Sequence, residues 1–166
     1  MIARLARIYL ATVLTIGVLL LVCVLMVHLS VWMGNEQLCA RFSDKLFISV
    51  FIFAFVSTAL CKERNVWKNE FKACPRWAKI SAIVLLVYAL LVVVFQVFLF
   101  NLVDALVISV LPLILEAISL CLIYSIWQAN LPDAEIVKRS GISLAFGTGI
   151  FLILMYRAQF NHFLGR

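Results

Sequence analysis

Charge is what this chain lacks. Charged residues make up 13% of its 166 positions, and only 8 of them are acidic against 14 Lys and Arg, where soluble domains carry about a quarter. With apolar residues at 66% and a mean hydropathy of +1.13, a water-soluble domain is excluded. Histidine is confined to His28 and His162, and one intramembrane imidazole cannot supply the paired ligation of a transmembrane haem. The five cysteines (Cys23, Cys39, Cys61, Cys74, Cys121) are odd in number, widely spaced and never form C-x-x-C, so neither a disulfide framework nor a zinc site is encoded. No nucleophile, metal, cofactor or phosphate motif stands out, and the expectation is a non-enzymatic protein without a cofactor.

What the chain has instead is apolar runs, at residues 8–32, 46–61, 80–100, 105–127 and 141–156. A bilayer core asks for about 20 such residues per helix. The reading is an all-α, polytopic transmembrane helix bundle forming one domain over residues 1–166, because the polar islands are too short to bury a core of their own. Five spans are favoured. The alternative is four spans with a re-entrant or interfacial C-terminal helix, since the last run is short and glycine-rich.

The basic balance has a topological explanation. Arg4 and Arg7 precede the first run, Lys62, Arg64, Lys68, Lys72, Arg76 and Lys79 separate the second from the third, and Lys138 and Arg139 precede the fifth. These islands lie on one side if every run spans, and the positive-inside rule makes that side cytoplasmic, with the N-terminus on it. Arg41, Lys45, Arg157 and Arg166 are left outside. Nucleic acid is not an expected partner; the bilayer is, in a bacterial inner membrane. The first run also exceeds the roughly 7–15 residues of a signal-peptide core, so it is expected to remain as an anchor.

Between the runs, Gly34 and Asn35 read as a breaker, and the island at 34–45 as a loop or one short helical turn. In the basic island at 62–79, Trp67 and Phe71 share one helical face, which suits an amphipathic helix on the inner leaflet or a docking surface for a partner. Pro75 ends that helix and suits the start of the next span. Spans three and four are joined only by residues 101–104, which demands a tight antiparallel hairpin. A new helix is expected near Pro132, followed by Asp133 and Glu135. Further along it Gly141, Ala145 and Gly149 recur every four residues, a face for close helix contact within the bundle or with a partner.

Glu116 is the acid deep inside a run, and an intramembrane acid is a functional candidate by default. Counting from the turn at 101–104 puts it level with Tyr88, whose hydroxyl is the expected partner of a carboxyl kept neutral by hydrocarbon. Glu116 is read either as interhelical glue or as a proton or cation site. By the same count His28 and Gln96 lie near the outer ends of spans one and three and are expected to bond across a helix pair.

Three classes of function remain: a protein that binds a membrane partner through its helices, a subunit of a small oligomeric transporter or channel using Glu116, and, least favoured, a membrane enzyme. Short loops and the small-residue face favour the first, with a membrane protein or a second copy of the chain as partner. In size and architecture the whole chain is similar to the polytopic immunity proteins that protect bacteria from their own pore-forming toxins. That similarity implies neutralisation of a toxin within the inner membrane, although no motif carries it.

Overall fold

The computed structural model describes residues 1–61, 74–95, 105–129 and 131–163. Among them are five helices and no strand: α1 (Ile2–Trp32), α2 (Glu36–Ala59), α3 (Arg76–Val93), α4 (Ala105–Gln128) and α5 (Asp133–Phe163). Four are long and apolar enough to cross a membrane, namely α1, α3, α4 and the Asp133–Leu154 part of α5. The short apolar helix is therefore not at the C-terminus, where the sequence suggested it, but in α2, whose apolar portion is Lys45–Ala59.

The island at 34–45 is corrected from a loop to a helix. Gly34 takes φ 80° and ends α1, with its N–H on the Val31 carbonyl (2.9 Å) and the Asn35 N–H on that of Ser30 (2.9 Å). This paired closure satisfies the last carbonyls of α1 and needs a residue that tolerates the left-handed region. Only Asn35 then separates it from α2, which runs through Arg41, Asp44 and Lys45 because neither Pro nor Gly interrupts 36–59.

The two proline starts agree with expectation. Pro75 caps α3, its carbonyl accepting from the N–H groups of Ala78 (3.1 Å) and Lys79 (3.2 Å), while Pro132 accepts from Glu135 (3.0 Å) and Ile136 (3.1 Å). Pro112 lies inside α4 without ending it and is itself buried.

α4 is the central helix, packed on α1, α2 and α3, while α5 packs on α1 and α2. One core layer joins Leu10, Val13, Phe53, Leu60, Ile123 and Ile126, and another joins Val24, Val50 and Leu113. Between them Gly17 lets α1 approach its neighbours: a Cβ there would collide with the Phe53 ring and stand 2.9 Å from Leu120. Large apolar side chains cover the outside, including Leu19 (61%), Met26 (64%), Ile80 (60%) and Leu90 (57%). In water such a surface would aggregate; in a bilayer it is the solvated face.

Candidate functional site

Glu116 is fully buried, at 0% exposure, on the most enclosed helix. Leu113, Glu116 and Leu120 share one face of α4 by their spacing. Leu113 packs in the cluster with Val24 and Val50, and Leu120 closes on Gly17 beside Phe53, so the carboxyl faces the α1–α2 seam between those contacts. Neither carboxyl oxygen has a hydrogen-bond partner among the described residues. The expected bond from Tyr88 is not made. Tyr88 is engaged elsewhere because the α3–α4 register differs from the symmetrical count: the Cys121 thiol meets the Ala78 carbonyl (3.7 Å), whereas that count would put Trp127 there. The offset is about 1.7 helical turns.

Tyr88 belongs to a polar chain at the other end of the bundle. His28, 4% exposed, bonds through Nε2 to the Tyr88 hydroxyl (2.7 Å) and through Nδ1 to Ser109 Oγ (2.8 Å). The protons in this chain can be assigned. Ser109 spends its single proton on the Leu106 carbonyl (2.9 Å), so Nδ1 must donate to it, leaving Nε2 to accept from Tyr88, whose oxygen accepts in turn from Trp32 Nε1 (2.6 Å). A neutral imidazole with its proton on Nδ1 thus satisfies every member and ties α1, α3 and α4 together. Gln96, expected as the partner of His28, lies outside the described residues, and Ser109 and Tyr88 hold both ring nitrogens.

A second polar layer joins α5 to the bundle. Ser143, fully buried, donates to the Val56 carbonyl (3.0 Å) and accepts from the Tyr9 hydroxyl (3.1 Å). Arg139 Nε bonds Glu135 (3.0 Å) while its Nη1 reaches the Leu60 carbonyl (3.5 Å) at the end of α2, where a cation suits the helix dipole. Arg7 pairs with Asp133 at 2.8 Å, but both are more than half exposed, so that ion pair contributes little.

These contacts fix which side of α5 faces inward. Ser140, Ser143 and Gly147 form the packed face, with a Cβ on Gly147 falling 3.4 Å from Val56. The face of Gly141, Ala145 and Gly149 is turned away from that contact: Gly141 and Ala145 are exposed, Gly149 is half-buried, and no atom of the described residues lies within 4 Å of a Cβ built on either glycine. Among the described residues it is not an internal packing surface, because the serine hydroxyls and Gly147 set the rotation of the helix. Of the basic island, Lys62, Arg64, Trp67, Lys68, Phe71 and Lys72 lie outside the described residues; Arg76 is exposed and Lys79 half-buried at the start of α3.

Two cysteines come together although 47 residues apart. Cys74 and Cys121 are both buried, share a small cluster with Ala78, and reach one another's helix backbone, with the Cys74 thiol 3.9 Å from the Cys121 carbonyl. Burial pushes the Cys74 thiol up, which makes it a poor nucleophile. Among the described residues no three His, Cys, Asp or Glu side chains stand together to hold a metal ion.

No family model, curated protein or solved structure matches this chain.

Proposed function

We propose that this is an integral membrane protein that works by binding another membrane-embedded chain through α5. The observation behind it is the outward face that this helix presents. Its first half is tied to α1 and α2, whereas beyond Gly147 it presents Phe151 (61%), Leu152 (66%) and Ile153 (68%) beside the open Gly149 position. Small residues allow backbones to approach closely, and the apolar side chains flank that approach. In this reading the partner is a pore-forming toxin in a bacterial inner membrane, neutralised by helix contact as an immunity protein does; a second copy of the chain is the other candidate. Cells that make the protein should survive such a toxin acting in the same membrane, and Ala145→Leu should remove the protection. Survival unchanged by that substitution speaks against the α5 surface.

The accompanying topology has five membrane-embedded helices and a cytoplasmic N-terminus, supported by the positions of Arg4, Arg7, Lys138 and Arg139. An impermeant thiol reagent applied to intact cells should reach Cys39. Cys74 is too buried to report from either side, so a cysteine placed at the exposed Ala129 serves as the inner control and should be missed. The reverse labelling pattern would invert the assignment.

Glu116 supports a second reading, in which the chain is a subunit of an oligomeric transporter or channel. A fully buried carboxyl with no hydrogen-bond partner among the described residues is costly to keep unless it binds something. Liposomes holding the purified chain alone should then pass ions or a solute, and Glu116→Gln should abolish the flux.

A further inference from the structure

The hydroxyls along the seam that Glu116 faces are already committed. Ser119, nearest in sequence on α4, donates to the Leu115 carbonyl (2.7 Å), and Ser57 of α2 donates to that of Phe53 (2.6 Å). Neither hydroxyl has a proton left for the carboxyl, which stands without a hydrogen-bond donor among the described residues, and that bears on which ligand it can take. Sodium-like and divalent cations need about six oxygens, and among the described residues no three His, Cys, Asp or Glu side chains stand together to supply them. An organic ammonium needs a cavity, and Glu116 is in the wall of neither the groove between α1 and α2 nor the cavity between α1, α3 and α4. A proton needs one carboxyl oxygen and no room.

We propose that Glu116 is a proton-binding site in the bundle interior, reached from the groove between α1 and α2 by displacement of the Phe53 ring. That groove has a volume of about 610 Å³ and is walled by Leu20, Cys23, Ile52 and Phe53. Phe53, 5% exposed, lines the groove and lies against Gly17, next to Leu120, one turn along α4 from Glu116. Gly17 gives the ring its place, and the ring separates the groove from the face that carries the acid. The ionisable residues of the helices packed around it are Arg4, Arg7, Tyr9, Cys23 and His28 of α1, Glu36, Cys39, Arg41, Asp44 and Lys45 of α2, Arg76, Lys79 and Tyr88 of α3, and Cys121 and Tyr124 of α4 itself. None of them bonds the Glu116 carboxyl, so its charge is balanced by the proton alone. The inference deepens the second reading by naming the cation and its route. It can stand without transport, because the experiment below reads the site and liposome flux reads the movement.

Dicyclohexylcarbodiimide, a lipid-soluble reagent, requires a protonated acid. The acid proton goes to one carbodiimide nitrogen, the carboxyl oxygen adds to the central carbon, and acyl migration to the other nitrogen gives an N-acylurea that retains every atom of both reactants. Applied to the intact protein in detergent at neutral pH, it should give one adduct, mapped to Glu116 by peptide mass spectrometry and missing in Glu116→Gln. The rate should fall as pH rises and the proton leaves. It should increase on the order of tenfold in Phe53→Ala, and by less in Phe53→Leu, the variant to rely on if the alanine protein does not fold, because an opening step has been removed. Failure to label Glu116 in folded protein that labels after denaturation overturns the proposal. A rate insensitive to both Phe53 variants overturns the route.

Discussion

α4 and α5 are both long apolar helices, but 61% of the apolar stretch of α4 is buried against 22% of that of α5. α4 is enclosed by three helices and its polar residues face inward: Ser109 holds His28, and Glu116 is sealed in the α1–α2 seam. α5 is held at one end by Ser143 and Arg139, and its later turns present apolar side chains outward. The difference separates two kinds of sequence signal. A polar residue inside α4 reports on what the bundle must satisfy, whereas Gly141, Ala145 and Gly149 along α5 report on a surface that no described neighbour covers.

Substitutions can break this comparison from either side. The largest effect is expected at Glu116→Lys, where a fixed cation replaces an acid that can be neutral. A buried unpaired charge costs about 3–5 kcal/mol, enough to prevent a monodisperse fold on size exclusion in detergent, while Glu116→Gln should remain folded. Gly17→Ala comes next, because the new methyl meets the Phe53 ring and Leu120; overpacking of this kind costs about 1–3 kcal/mol and should lower the thermal midpoint. Gly149→Ala in α5 should instead leave the midpoint unchanged or raise it, since helix propensity favours Ala over Gly by up to about 1 kcal/mol. If these two glycines respond alike, the contrast between the helices is lost. His28→Ala strands Ser109 and Tyr88 and should cost about 1–3 kcal/mol, with Tyr88→Phe costing less. Smallest is Ser143→Ala, about 1 kcal/mol, seen as earlier proteolysis between α4 and α5 rather than as global unfolding.

Much of the frame was legible in the residues. The breaker at Gly34 and the new helix after Pro132 stand where a flexible residue and an imino acid put them. The burial of Glu116 followed from its depth in an apolar run. What could not be read was anything that depends on how one helix is rotated or shifted against another. The partner of Tyr88 depends on the α3–α4 register, which the symmetrical count about residues 101–104 missed. The outward direction of Gly141 and Gly149 depends on Ser140 and Ser143, whose hydroxyls bond to neighbouring backbones and turn the other side of α5 inward. Charge at 36–45 suggested a loop, but helix formation requires only that no residue interrupt the ladder. The meeting of Cys74 with Cys121 and the close approach at Gly17 are long-range contacts without a local pattern.

The claim that α5 carries a binding surface outside the bundle is tested most directly with Gly149→Leu in the full chain. Membranes containing either form would be solubilised in mild detergent, and the mass of the native particle and its thermal midpoint measured together. The wild type should run heavier than one chain, with its partner or a second copy, whereas the variant should run as a single chain with an unchanged midpoint. A lowered midpoint would place Gly149 in the protein's own packing, and a wild type already single, with the variant identical to it, would contradict the account.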